Sequence, residues 1–179
     1  MNFTYKLNQK DYLQHTLYYY STNKDAKKMR TKAWIVAGVM LACFCGILAL
    51  YADTFAIYFG IGFSLFCFAL FPFFHKFRLK KIYRKSIKNL HKNNFDKEIQ
   101  LFFNQDHIKL ISATGESKIN YSALEKVIEV SDYYYMVFQT GTQLIIPKEK
   151  IDSAAIESKL KNLTTEHKIR FSKELDWKW

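Results

Sequence analysis

The sequence predicts an α+β membrane protein: a two-helix transmembrane hairpin plus a cytoplasmic antiparallel β-sandwich or open barrel capped by a C-terminal helix. Three observations predict it. Residues 33–51 and 55–74 contain no Asp, Glu, Lys or Arg. Lysine and arginine clusters bracket that pair of runs, and from Phe95 onward the apolar residues recur with a period of two.

The chain opens with an alternating strand-like stretch, Phe3 to Leu7. Asn8 or Gln9 then starts a helix in which Leu13, Leu17 and Tyr20 share a face, and Ser21-Thr22-Asn23 ends it. This segment, within residues 1–32, is too short to build a core and is expected to pack on the later β-domain.

The hairpin occupies residues 33–74. Its two runs, roughly 19 and 20 residues long, each span about 30 Å at 1.5 Å per residue, the thickness of a bilayer hydrocarbon core. The mean hydropathy of -0.18 conceals them, because the apolar residues are concentrated here and the charges elsewhere. A cleaved signal peptide fits poorly: a polar segment precedes the first run and a second run follows at once.

Basic residues set the expected topology. Lys24, Lys27, Lys28, Arg30 and Lys32 precede the first run; Lys76, Arg78, Lys80, Lys81, Arg84 and Lys85 follow the second. Between the runs, Ala52-Asp53-Thr54 carries no cation, so both termini are expected in the cytoplasm. These clusters, less Asp25, supply nearly all of the formal +11 charge. The charge is therefore a juxtamembrane property and no nucleic-acid partner is expected. Setting orientation suffices to explain it. Lys28, Arg30, Lys32, Lys76, Arg78, Lys80 and Lys81 are also candidate contacts for anionic lipid headgroups, at about 1 kcal/mol each near the surface.

Both runs carry small residues four apart: Gly38, Ala42 and Gly46 in the first, Ala56, Gly60 and Ser64 in the second. That spacing keeps each set on one helix face and allows close backbone approach. Gly46 and Gly60 lie at equal depth from Asp53, as do Ala42 and Ser64. Packing of the two stripes on each other is the simplest expectation, and homodimerisation through the same faces competes with it. Trp34, Tyr51 and Tyr58 lie near the run ends, where amphipathic rings favour the interface. No Asp, Glu, Arg or His lies inside either run, so a transport pathway is not expected.

Residues 75–94 read as a basic helical extension of the second span. The β-domain with its helix follows at 95–163: strands near Phe95–Phe103, His107–Ser112, Ser117–Tyr121, Val127–Ser131, Tyr133–Gln139 and Thr142–Ile146, with Thr140-Gly141 as a hairpin turn. Pro147 ends the last strand, and Asp152 or Ser153 caps a helix with Ile156, Leu160 and Leu163 on one face. Residues 164–179 are left as a tail, either frayed or dipping Trp177 and Trp179 into headgroups.

Several short segments then point one way: Asp11-Tyr12-Leu13, Asp106-His107-Ile108, Gly115 to Ile119, Tyr121-Ser122 with Glu125-Lys126-Val127, and Ile145-Ile146-Pro147-Lys148. With the hairpin, they resemble the YcxB-like family of small bacterial membrane proteins, over roughly residues 3–163. The resemblance implies a cytoplasmic domain similar to pleckstrin-homology folds, anchored in the bacterial inner membrane, and transfers no catalytic residue.

An enzyme is not expected. The chain has no Gly-rich phosphate loop, no G-x-S-x-G and no H-E-x-x-H. Cys43, Cys45 and Cys67 read as small hydrophobes within the spans, and the five histidines lack ligand spacing, so neither a cofactor nor a metal is expected. Two functions remain: a membrane-anchored binding or regulatory module whose domain recognises anionic lipid or a protein, and a structural or accessory subunit of a membrane complex.

Overall fold

A computed structural model describes residues 1–51 and 53–179. Ala52 and the side chain of Tyr51 lie outside the described residues, and with them the interfacial position expected for that ring. The architecture is α+β, with two long apolar helices, two four-stranded sheets and a later helix. It divides into one unit of residues 1–15 with 87–179 and a second of residues 16–86.

The first unit holds the sheets. Strands β1 (Asn2–Lys6), β2 (Glu98–Phe103), β3 (His107–Ser112) and β4 (Gly115–Asn120) form an antiparallel sheet in that order. The N-terminal stretch expected to pack on the later domain thus pairs with it, Phe3 opposite Leu101 and Tyr5 opposite Ile99. The second sheet runs β7 (Gln143–Pro147), β6 (Tyr133–Phe138), β5 (Leu124–Val130), β8 (Arg170–Glu174). Gly141, at φ 81°, provides the left-handed residue of the β6–β7 turn.

Two expectations are corrected here. Residues 95–97 are not strand; β2 begins at Glu98. The tail at 164–179 is not frayed: α4 (Ser153–Glu166) continues into it, and β8 pairs parallel with β5, Val127 opposite Phe171. A five-residue strand carries little periodic signal, and its partner lies some forty residues earlier in the chain, so composition could not place it.

Helix starts are set by side-chain caps. Asn8 and Asp11 form a reciprocal box at α1 (Gln9–Thr22): the Asn8 amide donates to Asp11 Oδ2 at 2.7 Å, and the Asp11 amide donates to Asn8 Oδ1 at 3.1 Å. Asp152 accepts from the amides of Ala154 and Ala155, each at 3.1 Å, at the start of α4. The core gathers Leu101, Ile108, Val127, Tyr135, Met136, Ile146, Ile156 and Leu160, all fully buried. Every residue of β6 is buried, so that strand is covered on both faces. The triple tyrosine at 133–135 is packing, with no aromatic face presented to solvent.

The second unit is helical. Helices α2 (Lys24–Tyr51) and α3 (Thr54–Leu90) carry the apolar runs, and the basic extension is continuous with the second run, ending at Leu90. Both are long and apolar enough to cross a membrane. Of the 18-residue apolar window, none is buried in α2 and 11% is buried in α3.

Candidate functional site

Within the helical unit, the second small-residue stripe lies inside. Gly60 and Ser64 are buried, Ala56 is half-buried, and the Cys45 thiol donates to Ser64 Oγ at 3.3 Å. A Cβ added at Gly60 would overlap the Leu48 side chain, and one at Gly38 would touch Phe68 at 3.6 Å. The first stripe divides. Gly38 is half-buried, whereas Ala42 and Gly46 are exposed, and a Cβ at Gly46 would meet nothing within 4 Å. The expected apposition of Ala42 with Ser64 and of Gly46 with Gly60 is therefore corrected. The approximate depth is kept, but α2 is rotated so that Cys45 and Leu48 fill the notches at Ser64 and Gly60. Side chains seated in notches make more dispersion contacts than two small surfaces facing each other, which favours this rotation.

Lys28, Lys32, Lys76, Arg78, Lys80 and Lys81 are exposed and Arg30 is half-buried. On α1 and α3, the Tyr20 and Tyr83 rings pack tilted with centroids 4.9 Å apart, and burial followed by the contact with Tyr20 raises the Tyr83 phenol well above its usual range. Exposed apolar side chains on the runs include Met40, Leu50, Phe55, Phe59, Phe63 and Phe66.

In the sheet unit, two charged clusters tie distant segments together. Asp11, with no exposure at all, accepts Lys150 Nζ at 2.6 Å and the Tyr133 hydroxyl at 3.0 Å, in addition to the Asn8 amide. Burial, then the Asp11 charge, pushes the Tyr133 phenol up. Glu129, also buried, meets Lys148 at 2.9 Å and Lys173 of β8 at 3.3 Å, and Lys148 sits 4.7 Å above the Tyr134 ring. Burial alone would raise the Glu129 carboxyl. The hydrogen bond and charge of Lys148, then those of Lys173, outweigh it and hold the group below the usual carboxylate range. Burial and the Glu129 charge push the Tyr134 phenol up to about 12. Each carboxylate is matched by lysines that β8 and the segment after β7 bring to it, so both clusters read as structural.

Of the hollows on this unit, two are large enough to hold a ligand. One, of about 750 Å³, lies beside the β2–β3 turn and the end of α4, where the Tyr121 and His167 rings pack tilted, 4.9 Å apart, among Asp106, Lys159 and Glu166. Its charges are mixed and its Tyr121 hydroxyl is used internally, donating to the Asn104 carbonyl at 2.8 Å. The second, of about 170 Å³, lies between β2, β3 and β7 beneath α1. Leu7, Ile99, Leu110, Leu144 and Ile145 form its apolar lining; Asn94, Lys97, Thr114 and Gln143 are among its polar wall residues. Above it, His15 Nε2 lies 2.6 Å from Gln143 Oε1 and the imidazole packs edge-on to Tyr135 at 5.2 Å. An amide oxygen only accepts, so His15 Nε2 carries the proton. Burial lowers the His15 pKa; the Gln143 bond opposes this and the neighbouring His91 adds to it.

Among the described residues, no group of three or more His, Cys, Asp or Glu is placed to hold a metal ion. The sequence missed Asp11, Lys150, Glu129 and the smaller hollow. Only Asp11 left a trace, in the N-x-x-D spacing of a capping box.

What the geometry defines is a β-domain with candidate binding hollows, carried on a chain with two apolar helices. The family model described as YcxB-like protein matches residues 103–164, from the end of β2 through most of α4. The resemblance seen in the sequence is thereby supported by the family model over that segment, a narrower span than residues 3–163. No curated protein matches the chain.

Proposed function

We propose that this chain is a membrane-anchored, non-enzymatic binding or regulatory module that presents a pleckstrin-homology-like domain at the cytoplasmic face of a bacterial membrane. The carrying observation is the exposure of the two apolar helices. A soluble domain rarely leaves so large a continuous apolar surface uncovered, whereas hydrocarbon solvates it at no cost. The basic clusters before α2's run and after α3's run favour a hairpin with both termini inside. The pleckstrin-homology-like reading is supported by two four-stranded sheets followed through β7 by α4, and by the family match over that region.

The test is site-directed labelling of the full-length protein in cells. Asp53→Cys should react with a membrane-impermeant maleimide on intact spheroplasts; Lys178→Cys should react only after lysis. Equal labelling of both before lysis, or release of the protein by alkaline carbonate, overturns the proposal.

A second reading, as an accessory subunit of a membrane complex, is favoured by one observation. Ala42 and Gly46 face outward on α2 and offer a close-approach surface to another helix. Loss of a co-purifying partner in Gly46→Leu, with the hairpin intact, supports that reading; unchanged association removes it.

A further inference from the structure

We infer that the smaller hollow of the sheet unit binds a single-chain anionic amphiphile, the chain entering the apolar pocket and the carboxylate staying at the rim with Lys97 and Gln143. The inference rests on the reading of this domain as a binding module and adds a ligand class to it.

Three features of the hollow select that class. Its lining is apolar where β2, β3 and β7 meet, as Ile99, Leu110 and Leu144 show. Chain is therefore preferred there over a free ion such as phosphate, which would lose its hydration against aliphatic groups. Its polar wall has one sign: Lys97 is the one charged residue lining it, and no carboxylate lines it. Gln143 is already oriented, because its amide oxygen is taken by His15 and its two N–H donors have no partner among the described residues. Donors and a cation without an acid at the rim suit an anionic oxygen and discriminate against an ammonium group.

Size then restricts the chain. At about 30 Å³ for a group of water size, 170 Å³ accommodates roughly six such groups. One short chain fits, about six of the seven alkyl carbons of octanoate with the carboxyl end at the rim, and a two-chain phospholipid does not, so the source is a free amphiphile and not the bilayer itself. The Tyr5 hydroxyl, on the strand paired to Ile99, is buried without a hydrogen-bond partner among the described residues. An orphaned hydroxyl of this kind is costly in a sealed core.

The experiment uses the full-length protein in nanodiscs of zwitterionic lipid, titrated with carboxyl-labelled octanoate and followed by NMR of the carboxyl carbon, with empty nanodiscs subtracted. Saturable binding of one octanoate per chain is expected, with octan-1-ol at least tenfold weaker and inorganic phosphate unable to displace it. Lys97→Gln, an exposed position, should weaken octanoate about tenfold. Ala113→Trp, at an exposed turn on the rim, should abolish binding by blocking the mouth.

Uptake no greater than by empty nanodiscs overturns the inference. So does parent-like binding by both variants, or displacement by phosphate at equal concentration. The maleimide pattern at positions 53 and 178 does not depend on any of these outcomes, so failure here is distinguishable from failure of the anchor reading.

Discussion

Replacing Asp11 by alanine should be the most damaging single polar change in the sheet unit. The carboxylate is fully buried and accepts from Lys150, Tyr133 and the Asn8 amide, at 2.6, 3.0 and 2.7 Å. Its removal leaves the Lys150 ammonium without a counter-charge, held only by its bond to the Lys6 carbonyl, leaves the Tyr133 hydroxyl unpaired and opens the cap of α1. Breaking a buried pair from one side costs about 3–5 kcal/mol. The Lys150 side chain retains 24% exposure and can reach water, which places the expected loss near the lower end, about 3 kcal/mol. That is roughly a hundredfold in the folding constant. For a unit of this size it corresponds to a drop of about 10–15 °C in Tm. The assay is hydrogen exchange of the Leu101 and Tyr135 amides in the reconstituted full-length protein, which reports opening of this unit separately from the helices. Tyr133→Phe, losing one hydrogen bond, should cost about 1 kcal/mol. A loss below about 1 kcal/mol for Asp11→Ala would refute the claim that this carboxylate fastens the N-terminal segment to the domain.

Three further outcomes are expected. Stability of the sheet unit should fall as pH drops below about 6.5. The half-buried His15 has a folded pKa lowered below its unfolded value, so the unfolded chain binds the extra proton first; full stability lies above 6.5 and is lost toward the folded value. His15→Gln should flatten that slope in denaturation curves between pH 7 and 5, and an unchanged slope would remove His15 as its source. In the helical unit, Ser64→Cys should form a disulfide with Cys45 on mild oxidation in membranes, with two thiols lost to maleimide labelling; continued labelling of both would mean the helices do not meet there. Gly60→Leu should suppress that cross-link by colliding with Leu48, while Gly46→Leu should leave it intact.

Much of the helical unit was legible because its signals are local. A charge-free run, a basic flank and a capping residue each act within a few turns, so α2, α3 and a break near Ser21-Thr22-Asn23, which falls at Asn23 alone, could be read without knowing what they touch. Rotation of α2 was not legible. Gly38, Ala42 and Gly46 recur with the same four-residue spacing as Ala56, Gly60 and Ser64, and spacing alone cannot say whether small residues meet each other or receive larger ones. In the sheets, alternation located β2, one face of which is buried against the core, whereas β6, buried on both faces, was marked by its aromatic and β-branched run and the Thr140-Gly141 turn after it. β8 escaped: its five residues pair with a strand distant in sequence, and its ladder with β5 together with Lys173 reaching Glu129 gives it its place.

The sequence by itself determined the class of the protein: two apolar helices between basic flanks, a short-stranded β-domain and a terminal helix, all consequences of hydropathy and local backbone preference. Tertiary structure alone decided which face of α2 meets α3, that Asp11 answers to Lys150 and Tyr133, and that a donor-rimmed apolar hollow lies between β3 and β7. Those features depend on residues brought together from separate elements, 19 positions apart for Cys45 and Ser64 and 139 for Asp11 and Lys150, and no periodicity along the chain encodes such a meeting.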